Sequence, residues 1–90
     1  MNDIGRRLRR IRTLAGYGDG DGGQAKFCRT YGFHPATWNH WENQLFLPPV
    51  TSGIKIRAVL PGLTLDYIYL NNLDGLPSLL RERLGRMRSA

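Results

Sequence analysis

The sequence is poor in cysteine and in acidic residues: it contains one cysteine, Cys28, and seven Asp and Glu among 90 residues. One cysteine cannot form a disulfide within the chain. Zinc in proteins takes about four ligands, and Cys28 with the two histidines, His34 and His40, does not supply that number. We therefore expect no disulfide, no metal site and no cofactor.

The sequence also lacks long apolar stretches. A membrane-spanning helix needs about 18 or more uncharged, mainly apolar residues. The uncharged run over 44–54 is interrupted by Pro48, Pro49 and Gly53. Charged residues near the start of the chain leave no apolar core for a signal peptide. We expect a cytoplasmic protein that does not enter a membrane.

Basic residues, by contrast, are abundant. Thirteen Lys and Arg give a net charge of +6, and eleven of the thirteen are arginine. This surplus indicates an acidic partner, with nucleic acid first and an anionic membrane surface second. A hydrophobic content of 41% argues against a disordered chain, and 90 residues fit one domain, 1–90.

Apolar periodicity predicts an all-α fold of five to six helices. Ile4, Leu8, Ile11 and Ala15 recur at helical spacing and form one apolar stripe. The glycine-rich segment 16–23 is predicted to be a flexible loop with Tyr17 as its only anchor. Further helices are predicted over five ranges: 24–31, 35–43, 51–60, 65–70 and 77–87.

The second and third predicted helices match the helix-turn-helix plan, because a glycine, Gly32, stands in the short turn between them. In this plan the first helix crosses the backbone of a DNA duplex and holds the second in the major groove. Bulky residues must fix the angle between the two helices. The sequence supplies five inward-facing candidates: Phe27, Cys28, Phe33, Trp38 and Trp41.

Over about residues 4–70 the sequence resembles the Cro/C1-type (XRE-like) helix-turn-helix transcriptional regulators. Gln24 matches the glutamine that opens the second helix of the family. The run 41–43, Trp-Glu-Asn, resembles the common Trp-Glu-Asn/Arg-Gly ending, with Gln44 in place of glycine. The run 63–67, Leu-Thr-Leu-Asp-Tyr, is similar to the typical Val-Ser-Leu-Asp-Tyr. The resemblance implies a compact lambda-repressor-like DNA-binding domain. The sequence departs from the family in its glycine loop, which is about five residues longer than the usual connection.

The resemblance also implies which residues face base edges. Four positions of the third helix carry this role: Pro35, Ala36, Asn39 and His40. Ala36 or Thr37 would contact thymine methyl groups, because proline and alanine side chains offer no hydrogen bonds to bases. Readout would then depend on His40 and Asn39 and on DNA shape.

The resemblance assigns two further roles. Gln24 and Asn43 would hold phosphates. Arg12 and Glu42 would form a structural ion pair between the first and third helices.

The arginines of the first helix admit two interpretations. They are a phosphate-binding face, with Arg10 or Arg6 as the foremost candidates, or the solvated side of an amphipathic helix. Five residues belong to this set: Arg6, Arg7, Arg9, Arg10 and Arg12.

The last predicted helix carries an apolar stripe that either closes the core of the monomer or forms a dimer contact. The candidates for dimerisation are Leu76, Leu80, Leu84 and Met87. A homodimer is expected because regulators of this family read pseudo-palindromic sites as symmetric pairs.

The first functional hypothesis is a dimeric repressor or autorepressor of a bacterial or phage operon that reads a double-stranded DNA operator through the helix 35–43. The alternative is an antitoxin or anti-activator whose apolar C-terminal helix binds a protein partner, with DNA binding secondary. We do not expect an enzyme, because neither paired carboxylates nor a nucleophile–histidine set is visible.

Overall fold

The chain folds as six α-helices, and no strand occurs within residues 3–89, the part that this computed structural model describes. The helices are α1 Ile4–Leu14, α2 Gly23–Tyr31, α3 Pro35–Glu42, α4 Val50–Arg57, α5 Leu65–Leu70 and α6 Ser78–Ser89. The predicted all-α class is therefore confirmed. No helix of the described residues is both long and apolar enough to cross a bilayer.

The apolar stripe of α1 lies at the centre of the core. Ile4, Leu8 and Ile11 are fully buried, and α1 packs against α3, α5 and α6. Each of the six helices contributes at least one buried apolar side chain to the same cluster. The position of α1 explains why its spacing is the clearest helical signal in the sequence.

Arg7 is buried, so the interpretation of all five α1 arginines as one exposed face is wrong at this position. Its side chain is only 2% exposed. The Nε atom donates to the carbonyl oxygen of Ile68 at 2.9 Å, and Nη2 donates to that of Tyr69 at 3.4 Å. Carbonyls in the last turn of a helix have no partner within the helix, and a cation is favourable there. Arg7 therefore caps α5, although burial lowers its pKa.

The glycine-rich loop between α1 and α2 is held at more than the one predicted anchor. The Tyr17 ring packs edge-on against Phe27 and Tyr31, with centroid distances of 5.8 and 6.1 Å. Arg12 in addition donates from Nη1 to the carbonyl oxygens of Tyr17 and Gly18, at 2.9 and 3.0 Å. The prediction of a loop anchored by Tyr17 alone is therefore wrong.

The turn between α2 and α3 follows the sequence prediction closely. Gly32 ends α2 in the left-handed conformation, with φ +78°, and Pro35 is the first residue of α3. Both residue types suit these positions, because glycine tolerates positive φ and proline lacks only an amide that is unpaired at a helix start. Phe27 and Trp38 pack with ring centroids 4.7 Å apart, which fixes α2 against α3.

The apolar stripe of the last helical region belongs to the core of one chain. Leu76 and Leu84 are buried, and Leu80 and Met87 pack partly against the same cluster. Of the two interpretations of this stripe, the burial of Leu76 and Leu84 favours the one in which it closes the core of the monomer. Among the large apolar side chains described for α6, Leu79 is the exposed one, at 62%.

We predict that Leu84→Ala lowers the free energy of unfolding by about 2–5 kcal/mol, because a fully buried leucine leaves a cavity when it is truncated. Leu79→Ala on the same helix is the matched control and should change stability by no more than about 0.5 kcal/mol. Urea denaturation followed by tryptophan fluorescence measures both. Equal effects of the two substitutions would mean that α6 does not pack on the core as described.

Candidate nucleic-acid interface

The outer face of α3 presents the residues predicted to read bases. Trp38 and Trp41 are three residues apart and both face the core, at 0% and 6% exposure. Because residues three apart lie on the same side of a helix, Asn39 and His40, which stand between the two tryptophans, face away from the core. The outward set is Pro35, Ala36, Thr37 and Asn39, which are exposed, and His40, which is half-buried. The His40 ring packs edge-on against Phe46, with centroids 5.6 Å apart.

A cleft beside this face brings together three of the residues predicted to contact DNA. They are Gln24 at the start of α2, Asn39 on α3 and Asn43 just after it. The cleft has a volume of roughly 260 Å³ and lies between α1, the glycine-rich loop, α2 and α3. Four charged residues complete its lining: Arg9, Arg12, Asp19 and Glu42. The cleft is polar and open, and it adjoins the outer face of α3.

Arg12 is the residue on which the cleft is built. Its guanidinium is buried and makes a two-point ion pair with Glu42, with Nε–Oε2 at 2.7 Å and Nη2–Oε1 at 2.9 Å. Nη2 also donates to Oδ1 of Asp19 at 2.8 Å. Together with the two loop carbonyls, these contacts occupy all five N–H donors that an arginine offers. The hydrogen bond to Glu42 is the main cause that raises the pKa of Arg12 above its ordinary value.

Glu42 is the matching acceptor at the C-terminal end of α3. Its side chain is 7% exposed, and its Oε2 also accepts a hydrogen bond from the indole Nε1 of Trp38. Trp38 lies four residues earlier, one helical turn below Glu42, so the two side chains share a face. The carboxylate therefore joins the core tryptophan of α3 to the arginine of α1.

Gly5, the glycine of α1, allows α1 to approach the C-terminal end of α3 closely. A Cβ on Gly5 would lie 2.2 Å from the carbonyl oxygen of Glu42. The Gly5 amide donates to Oε1 of Gln44 at 3.2 Å. Gln44 has φ +61°, a backbone conformation that glycine adopts most readily. The regulators that the sequence resembles have glycine at the position of Gln44.

Besides Arg12, the arginine of α1 that lines the cleft is Arg9, rather than Arg6 or Arg10. Arg6 is exposed and Arg10 half-buried, and neither lines it. Sequence reasoning did not single out Arg9, although a signal was present. Arg9 stands four residues after Gly5 and three before Arg12, so all three face α3.

The described residues contain no cluster of His, Cys, Asp and Glu arranged to hold a metal ion. Comparisons with protein-family models, with curated proteins and with solved structures gave no significant match. The functional interpretation therefore depends on the residues and geometry of this chain.

We predict that Arg12→Met lowers the free energy of unfolding by about 3–5 kcal/mol, because it leaves the Glu42 carboxylate buried without its partner. Glu42→Gln should also be destabilising, because it leaves the buried Arg12 guanidinium without its carboxylate partner. The double variant should lose less unfolding free energy than the sum of the losses in the two single variants. Thermal and urea unfolding of the four proteins provides the coupling energy.

The control for this cycle is the exposed pair Arg86–Glu82 on α6, whose side chains are 74% and 55% exposed. Arg86→Met should cost no more than about 1 kcal/mol, because solvent screens exposed ion pairs. Additive losses at Arg12 and Glu42 would contradict their direct coupling.

Proposed function

We propose that the chain is a sequence-specific double-stranded DNA-binding transcriptional regulator that places α3 in the major groove. The observation that carries this proposal is the convergence of Gln24, Asn39 and Asn43 on one cleft beside the outer face of α3. These residues come from two helices and the turn that follows, as a helix-turn-helix reader requires. The inward tryptophans leave α3 free to enter a groove about 12 Å wide.

The charge of the protein supports the same proposal. A net charge of +6 favours an anionic polymer as the partner. Exposed cations stand on both helices that flank the cleft, with Arg6 and Arg9 on α1 and Lys26 and Arg29 on α2. These side chains are suited to phosphates on either side of the groove and supply affinity that is independent of sequence.

The family resemblance is the second support. The resemblance implies an ion pair between Arg12 and Glu42, and the two residues make one. The family has glycine after the third helix, and Gln44 at this position has positive φ, the conformation that glycine adopts most readily. We therefore propose a lambda-repressor-like member of the Cro/C1-type regulators, acting in the cytoplasm and without catalytic activity or a cofactor.

Base recognition is assigned to Asn39 and His40, because they are the outward polar side chains in the middle of α3. Asparagine pairs with adenine, and a neutral or protonated imidazole donates to acceptors of purines or thymine. Pro35, Ala36 and Thr37 contribute apolar contacts, for which the thymine methyl group is the natural partner. DNA shape would supply the remaining selectivity.

A homodimer that reads two half-sites about 34 Å apart is part of the proposal. Because Leu76 and Leu84 are internal, the dimer surface must be formed by other residues. Leu79 is the exposed candidate on α6, beside an apolar groove of roughly 470 Å³ that includes Leu14, Leu60 and Pro77. An autorepressor of its own operon is the form of regulation that we propose for such a dimer.

We predict that selection from a random duplex library enriches a defined site, and that the protein binds it about a thousandfold more tightly than scrambled DNA of equal length. Asn39→Ala and His40→Ala should each weaken binding to the selected site by about ten- to a hundredfold, since one lost base contact costs about 1–3 kcal/mol. Fluorescence anisotropy at fixed salt measures both effects.

Asn72→Ala is the matched control, because Asn72 is an exposed asparagine in the turn between α5 and α6 and does not line the cleft. It should leave affinity for the selected site unchanged. The proposal fails if no sequence is enriched, or if Asn39→Ala and His40→Ala bind as tightly as Asn72→Ala.

One observation favours a second candidate function, an antitoxin or anti-activator that binds a protein partner. Five large apolar side chains within ten residues are 48–63% exposed: Leu45, Phe46, Leu47, Val50 and Ile54. Clustered exposure of this kind is typical of protein interaction sites. The same selection separates the two functions, because a protein-binding module without DNA specificity would enrich no site.

A further inference from the structure

The loop that distinguishes this chain from the regulators it resembles carries an acidic residue into the candidate DNA interface. Asp19 lies in the loop between α1 and α2 and lines the cleft with Arg9, Arg12 and Glu42. These two cations and two carboxylates sum to a formal charge of zero. The cleft offers the side-chain amides of Gln24, Asn39 and Asn43 to a phosphate. Its own charged residues, however, leave it without a net positive charge.

Asp19 contacts both arginines of the cleft. Its Oδ1 lies 2.8 Å from Nη2 of Arg12 and 3.3 Å from Nε of Arg9. Arg12 is buried and already paired at two points with Glu42, so its charge is compensated without the loop. Arg9 is different, because it is 61% exposed and Asp19 is its one ion-pair partner in the described part of the chain.

A carboxylate and a phosphate make equivalent demands on a guanidinium, since both present paired anionic oxygens to its planar donors. We propose that Asp19 is an internal competitor for DNA phosphate, which occupies Arg9 in the free protein and sets the affinity of the interface. This inference rests on the proposed DNA-binding function. It assigns a role to the long glycine loop that the helix-turn-helix plan alone does not require.

The loop is built so that Asp19 can leave without unfolding its surroundings. Arg12 holds the neighbouring carbonyls of Tyr17 and Gly18, and these contacts do not involve the Asp19 side chain. The Asp19 side chain is 62% exposed, and a Cβ placed on Gly18 or Gly20 would meet no atom within 4 Å. Rotation of this exposed side chain releases Arg9 to a phosphate. It also vacates one donor on Nη2 of Arg12, which lines the same cleft and can donate to an oxygen of that phosphate.

Asp19 acts on affinity rather than on sequence preference. Phosphate contacts carry no sequence information, so displacing Asp19 is required equally on a selected site and on scrambled DNA. Removing the carboxylate should tighten binding to both duplexes by the same factor. It should also steepen the salt dependence, because binding then no longer breaks an Arg9–Asp19 ion pair that salt itself weakens.

The test compares Asp19→Asn with Asp21→Asn, which changes the net charge by the same amount two residues away. Asp21 is exposed and makes no ion pair within the described residues. By anisotropy, Asp19→Asn should lower Kd by about three- to tenfold on selected and scrambled duplexes, and steepen the slope of log K against log salt by about 1. Asp21→Asn should change Kd less than about twofold.

The same pair of substitutions in an Arg9→Gln background identifies the competing group. In that background Asp19→Asn should change Kd no more than Asp21→Asn does. Thermal unfolding checks that every variant is folded. Equal effects of the two substitutions in the wild-type background, or an undiminished effect of Asp19→Asn without Arg9, overturn the inference while the DNA-binding function stands. Failure of the wild-type protein and all variants to bind either duplex overturns both.

Discussion

The buried guanidinium of Arg12 connects the parts of the fold that form the candidate interface. It joins α1 to the end of α3 through Glu42, and it fastens the glycine-rich loop through two carbonyls and Asp19. Glu42 in turn accepts a hydrogen bond from Trp38, whose ring is in the core. The orientation of α3, and hence the residues it presents outward, depends on this network. A buried charge of this kind is tolerable only because every donor has an acceptor.

A chain of this size buries little apolar surface. Buried polar groups therefore help to fix how its helices are oriented. Arg7 and Arg12 do so from opposite sides of α1, one against the carbonyls at the end of α5 and the other against Glu42. The remaining arginines of α1 are left for a partner. One helix therefore has both structural and surface arginines, and composition alone does not separate them.

The sequence was sufficient to predict the parts of the structure that depend on local pattern. Helix α1 follows from its apolar spacing, and the turn at Gly32 and the start at Pro35 follow from backbone preferences. The outward face of α3 follows from the spacing of Trp38 and Trp41. In each case the cause lies within a few residues of the effect.

The failures concern contacts between residues distant in the chain. Arg7 stands three residues after Ile4 and four before Ile11, on the apolar stripe of α1. The carbonyls of α5 that accept from it lie some sixty residues later. The place of Arg9 in the cleft likewise requires the packing of α1 on α3. Arg12 reaches loop carbonyls only five and six residues later, but its guanidinium is held there by Glu42, thirty residues away. From the sequence alone, Leu76 and Leu84 fit a place in the core and a dimer contact equally well, because an apolar stripe does not reveal what covers it.

The most direct test of the account is a map of the surface that contacts DNA, obtained by NMR titration of the labelled protein with a duplex selected for binding. The account predicts that the largest shift changes fall on the outward residues of α3, on Gln24 and Asn43, and on the side-chain Nε–H of Arg9. Changes confined to the exposed apolar residues of 45–54 or to α6, with α3 unaffected, would contradict it.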